Sequence, residues 1–210
     1  SRRPVAPSLL GPVAGVAIVV LVLLVGSLGL NGLSADDLGA LITFAVLLCI
    51  TVPLAVVLGR LDGHRGYASL LLAAFFAKMV GAYVRYTVLR EVYGGGDADR
   101  YYAVGLELAA QVERGDYAFG EVSGTRFIEI ASGFAYTVLP PSQLAGFLLF
   151  SWIAFLGLIL FSRAIRIALP DADHRRYDLL LFFLPTIVFW PSSLGKEAWM
   201  VAVLGLASYG

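Results

Sequence analysis

"YASLLLAAFFAKMVGAYVRYTVLREVYGGGDADRYY", residues 67–102, runs from a long apolar segment into a glycine-rich acidic turn. Crossing the roughly 30 Å hydrocarbon core of a bilayer takes about 20 apolar residues, and Tyr67 to Val88 is long enough to do so. It does so carrying Lys78 and Arg85, two cations placed two helical turns apart on one face. Such charges are costly inside a membrane, so they mark a functional site unless they snorkel or pair with a carboxylate of a neighbouring subunit. The reading of this stretch as a membrane span followed by a built turn decides the fold.

Composition agrees: 59% of the residues are hydrophobic and 14% charged, against about a quarter charged in a soluble domain. The chain reads as an integral membrane protein. Its formal net charge of zero gives no basic excess for nucleic acid. The single cysteine, Cys49, excludes an intrachain disulfide and a cysteine-rich metal site, and His64 and His174 are too few for a histidine cluster.

Further spans are predicted at Leu9–Leu30, at Leu38–Gly59 with a kink or local opening near Pro53, and at Leu144–Leu169, where Arg163 and Arg166 are placed to snorkel toward head groups. Tyr177–Trp190 would rise only about 21 Å, and a segment from Ala198 to Gly210 is too short to cross. The expected fold is therefore an all-α polytopic transmembrane bundle, a single membrane domain over residues 1–210, read as an N-terminal fragment of a larger protein. Arg2, Arg3, Arg60, Arg65, Arg163, Arg166, Arg175 and Arg176 fall on one side, which the positive-inside rule makes cytoplasmic, together with the N-terminus. Asp36, Asp37 and the acid-rich segment 91–143 then lie outside, at the surface of a cell membrane.

Within that external segment, Asp97 to Arg114 has an apolar stripe of Tyr101, Val104, Leu108 and Val112 opposite Arg100, Glu107, Gln111 and Arg114. Thr125 to Leu139 places Phe127, Ala131, Phe134 and Val138 opposite Arg126 and Glu129. Both read as amphipathic surface helices lying in the lipid boundary or against the bundle. Asp97 suits an N-cap and Asp99 a first-turn position, which by itself accounts for the acids. A second concentration, "FWPSSLGKEAW" (residues 189–199), breaks two short apolar segments. It is either an external turn with interfacial tryptophans or a broken helix beside a cavity. It lacks the upstream glycine and the hydroxyl after Lys that a phosphate-binding P-loop needs.

The motifs "GGDADRYYAVG", "GTRF" and "LPTIVFWPSSLGKEA" resemble actinobacterial polytopic proteins of cell-envelope polysaccharide synthesis and, more distantly, lipid-linked-sugar glycosyltransferases of the GT-C class. The resemblance spans roughly residues 90–205. It implies an enzyme that takes a sugar from a polyprenyl-phosphate donor to a glycan acceptor on the external face, with the acidic loop at the site. In that class the acidic loop usually follows the first span; here it follows the third.

On that reading Asp99 is the candidate base, and Asp97 could orient the acceptor or share Mg²⁺ or Mn²⁺ with it. Lys78, Arg85, Arg126 and Lys196 are candidate phosphate-binding cations, and Glu197, Ser192 and Ser193 complete the expected cavity. Tyr101, Tyr102, Trp190 and Trp199 are expected to anchor at the interface more than to stack on sugars. Two other classes fit the same charges: a transporter of a lipid-linked or anionic substrate, and a noncatalytic subunit of a membrane complex with its cations paired across subunits.

Overall fold

The structure, a computed structural model, describes residues 34–62 and 66–210, and every regular element among them is an α-helix. They are α1 (Ala35–Asp62), α2 (Tyr67–Glu91), α3 (Asp97–Glu113), α4 (Thr125–Tyr136), α5 (Gln143–Ala168), α6 (His174–Phe183), α7 (Pro185–Phe189) and α8 (Lys196–Tyr209). The predicted span Leu9–Leu30, and with it Arg2, Arg3 and Arg65, lies outside the described residues. Among the described residues three helices, α1, α2 and α5, are long and apolar enough to cross a membrane.

Local chemistry sets the boundaries. Ser34 caps α1 by accepting from the Asp37 amide at 3.1 Å, while the Asp37 carboxylate accepts from the Ser34 amide and hydroxyl; this is a capping box with Asp in the third helical position. α1 runs through Pro53 without ending. Ser142 caps α5 through the Ala145 amide, and Asp173 caps α6 through the Arg176 amide. Leu184 separates α6 from α7 with an extended ψ of 124°, the conformation that the following Pro185 imposes on its neighbour.

α5 is the organising helix, packing against α1, α2 and α8 and burying more of itself than either of the other long helices. α8 lies against it so closely that a Cβ on Gly157 would sit 2.5 Å from the Val201 carbonyl oxygen. Small residues let helix backbones approach in this way. The core is a run of aromatic and aliphatic side chains, with Phe75, Phe147, Phe150, Phe155 and Leu71 fully enclosed.

At the far end of α1, Arg166 is held inside the bundle: its Nε lies 2.7 Å from Asp62 and its Nη2 2.5 Å from Asp178, and it stacks 4.4 Å over the Tyr67 ring. Ser162 donates to Asp178 at 2.7 Å and lies 2.9 Å from the Tyr67 hydroxyl. This corrects the expectation that Arg166 snorkels. Two carboxylates inside the fold outcompete the head-group region, because a buried guanidinium is held best where its donors are matched.

α3 and α4 form a helical hairpin, with Gly105 against Ser132 and Gly133 against Leu108. The hairpin buries Ala98, Tyr101, Gly105, Leu108 and Ala109 of α3, close to the expected stripe. For α4 the face differs. Ile128, Glu129, Ser132, Gly133 and Tyr136 are buried, whereas Phe127, Phe134 and Val138 are exposed. The sequence pattern marked the apolar face, but the small residues Ser132 and Gly133 permit the closer helix contact on the other side.

Candidate functional site

The turn out of α2 is made by Gly94 and Gly95, both with left-handed φ (66° and 121°), a conformation that costs residues with a Cβ and not glycine. Gly96 then caps α3. Asp97 is thus the first residue of the helix and not its cap, as the sequence had suggested. Asp99 in the third position reaches back: its Oδ2 accepts from the Gly96 amide at 2.7 Å, and its Oδ1 accepts from Gln143 Nε2 at 2.6 Å. Gln143 opens α5, and its own amide donates to Asp36 Oδ1 at 2.7 Å; Asp36 also accepts from the Tyr86 hydroxyl at 2.8 Å. The Asp99 carboxylate is therefore the last member of a polar chain that fastens α3 to α1, α2 and α5.

Beside this junction lies a cavity of about 260 Å³. Arg85 and Leu89 of α2, Tyr93, Asp97 and Tyr101, Phe147 of α5, and Ser193, Lys196 and Glu197 line it. The N-termini of α3 and α8 both open onto it. The first turn of α8 has no side-chain cap, so its amides present the partial positive charge of a helix start. Lys196 Nζ donates to Thr125 Oγ1 at 2.9 Å, tying α8 to the start of α4. Burial and the nearby Asp97 hold the Tyr101 phenol above its usual pKa, so it stays protonated.

Arg85 is the unusual member. Its Nε and Nη1 are shut off from solvent, and neither has a hydrogen-bond partner among the described residues. The guanidinium is instead surrounded by rings, 4.9 Å from Trp190, 5.1 Å from Phe189 and 5.7 Å from Tyr93. Cation–π contact partly offsets the desolvation, but it does not satisfy the N–H donors. Phe189 and Trp190 lie far from Arg85 in sequence, so this cage could not be read there; only the charge of Arg85 inside an apolar run pointed to it.

Of the residues expected at a site, the structure brings Asp97, Arg85, Lys196, Glu197 and Ser193 to one cavity. It does not bring the others. Asp99 faces Gln143 and the Gly96 amide. Arg126 bonds Glu129 at 3.1 Å and the Phe119 carbonyl at 3.2 Å, while Glu129, almost fully buried, also pairs with Arg100 at 2.7 Å. Lys78 is completely buried and donates to the Ile187 carbonyl. Ser192 is buried 3.0 Å from Ser151 and donates to the Val188 carbonyl. Of the two aspartates expected to share a divalent ion, only Asp97 lines the cavity. Among the described residues no group of three or more His, Cys, Asp or Glu side chains could hold a metal ion. Trp199 packs on Phe127 and Phe150, and Tyr102 donates to the Pro141 carbonyl; neither lines the cavity. Comparison with protein families, with curated proteins and with solved structures finds no match.

Proposed function

We propose that the chain is a polytopic membrane protein that binds a polyprenyl-phosphate-linked sugar in this cavity, on the external face of a cell membrane, and transfers the sugar to a glycan acceptor. The observation that carries this reading is Arg85. A guanidinium with two buried, unpartnered nitrogens is costly to keep, and it stands in a cavity with Lys196, an uncapped helix start and two carboxylates. A phosphate oxygen would satisfy those donors.

The reaction divides among the lining residues. Asp97, and not Asp99, is the base: it takes the proton of the acceptor hydroxyl as that oxygen bonds to the anomeric carbon. The bond from the anomeric carbon to the phosphate oxygen breaks, and its electron pair stays on the phosphate. Arg85, Lys196 and the α8 amides stabilise the charge that develops there. Glu197, beside Lys196, orients the acceptor.

The test is transfer of radiolabelled sugar from a polyprenyl-phosphate donor by the purified protein in proteoliposomes, with farnesyl phosphate binding measured alongside. Binding with transfer supports the reading. Binding with movement of the donor across the bilayer and no transfer would favour a transporter, and no binding would favour a noncatalytic subunit.

A further inference from the structure

Lys78 sits in the middle of α2 with no exposed surface, and among the described residues no carboxylate pairs with it. Its Nζ donates to the Ile187 carbonyl at 3.2 Å. In a continuing helix that carbonyl would accept from the amide four residues on. Residue 191 is Pro, which has none. Trp190 still has helical angles (φ −65°, ψ −48°) and donates to the Thr186 carbonyl at 3.0 Å, so the Pro191 nitrogen follows in helical register with no hydrogen to give. The next carbonyl, Val188, accepts from Ser192 Oγ at 2.5 Å. Ser192 lies 3.0 Å from Ser151, which donates to the backbone carbonyl of Lys78 at 2.9 Å. Gly81, one turn after Lys78, leaves no room for a side chain against the Val188 carbonyl.

We infer that Lys78 is a positioning residue: it supplies the hydrogen bond that Pro191 cannot, fixes the end of α7, and thereby places Ser193 and Lys196 in the cavity. The Ile187 carbonyl meets the fully buried Lys78 side chain, and to leave it there without a donor is unfavourable, so without Lys78 the break after α7 would shift. The inference rests on the phosphate-binding reading of the cavity for its functional consequence, and on the Lys78–Pro191 relationship for its structural one.

Four proteins test both: the parent, Lys78→Met, Pro191→Ala and the double variant. Each is examined for farnesyl phosphate affinity in detergent micelles and for Tm. Lys78→Met is expected to weaken binding about tenfold when residue 191 is Pro, and less than about threefold when it is Ala, whose amide can serve Ile187. The Tm loss caused by Lys78→Met is likewise expected to shrink in the Ala background. Equal losses in both backgrounds overturn the inference. If the parent binds no farnesyl phosphate, the phosphate reading fails, while the Tm cycle still decides the pairing. Should Lys78→Met fail to fold, recovery of a folded protein on adding Pro191→Ala supports the pairing, and continued failure overturns it.

Discussion

Asp97 and Asp99 leave the first turn of α3 in different directions: Asp97 lines the cavity, whereas Asp99 has its two oxygens occupied by the Gly96 amide and the Gln143 side chain. A base must reach the proton it takes, and of the two only Asp97 lines the cavity. Asp97→Asn is therefore expected to lower sugar transfer by a factor of order 10² to 10⁴ with little change in Tm. Asp99→Ala should cost about 1 kcal/mol of stability through the lost helix-start bond, with a smaller loss of transfer. The comparison requires both rates and both Tm values; a larger transfer loss for Asp99→Ala at unchanged Tm would return the base role to Asp99.

Arg85 gives the second prediction. Its planar guanidinium fits between Tyr93, Phe189 and Trp190, and a compact ammonium does not reproduce that stacking. Arg85→Lys should weaken farnesyl phosphate binding by about tenfold or more despite keeping the charge. Arg85→Met should weaken it further and yet leave Tm unchanged or raised, because a buried cation without full partners is replaced by an apolar side chain. Calorimetric binding with thermal unfolding checks both, and undiminished affinity in Arg85→Met would remove Arg85 from the site.

How much of this was visible beforehand depends on the range of the interaction. The helices α1, α2 and α5 follow from apolar runs, and the Gly94–Gly95 turn from local backbone chemistry, so both were legible. The sorting of charges was not. Arg126 and Arg85 are both candidate phosphate-binding cations by sequence, which alone does not tell which finds a partner. Arg126 finds Glu129 three residues away and Arg85 finds three rings, two of them about a hundred positions on. The same limit hid the role of Lys78, whose acceptor becomes meaningful only when Pro191 is seen to be in helical register with Ile187.

The third prediction concerns the buried cluster at the opposite end. Arg166 lies between Asp62 and Asp178, and Asp178 is almost completely enclosed. Removing one partner of such a pair leaves a charge without compensation, which costs about 3–5 kcal/mol. Asp178→Ala should therefore be strongly destabilising, and Arg166→Met combined with Asp178→Leu should be considerably less so than the sum of the single changes. Unfolding of the detergent-solubilised variants measures this. Additive losses would mean that the two side chains do not act as a pair.

The last prediction is topological. If the bundle crosses the membrane with the cavity outside, the turn near Ser123, in the hairpin beside the cavity, and the turn near Ala172, beyond α5 at the end where Arg166 is buried, lie on opposite sides. Arg60, Arg175 and Arg176 are exposed toward that second end, in the short connections whose arginines the positive-inside rule counts toward the cytoplasmic side, and Arg166 is neutralised by its partners. Ser123 and Ala172 are both exposed, and replacing the exposed Cys49 by Ala leaves a background without a competing thiol. In that background Ser123→Cys should react with a membrane-impermeant maleimide in intact cells, and Ala172→Cys only after permeabilisation. The opposite pattern would put Asp97, Arg85 and Lys196 on the side where nucleotide sugars are the available donors, and a polyprenyl-phosphate donor at an external site would then be ruled out.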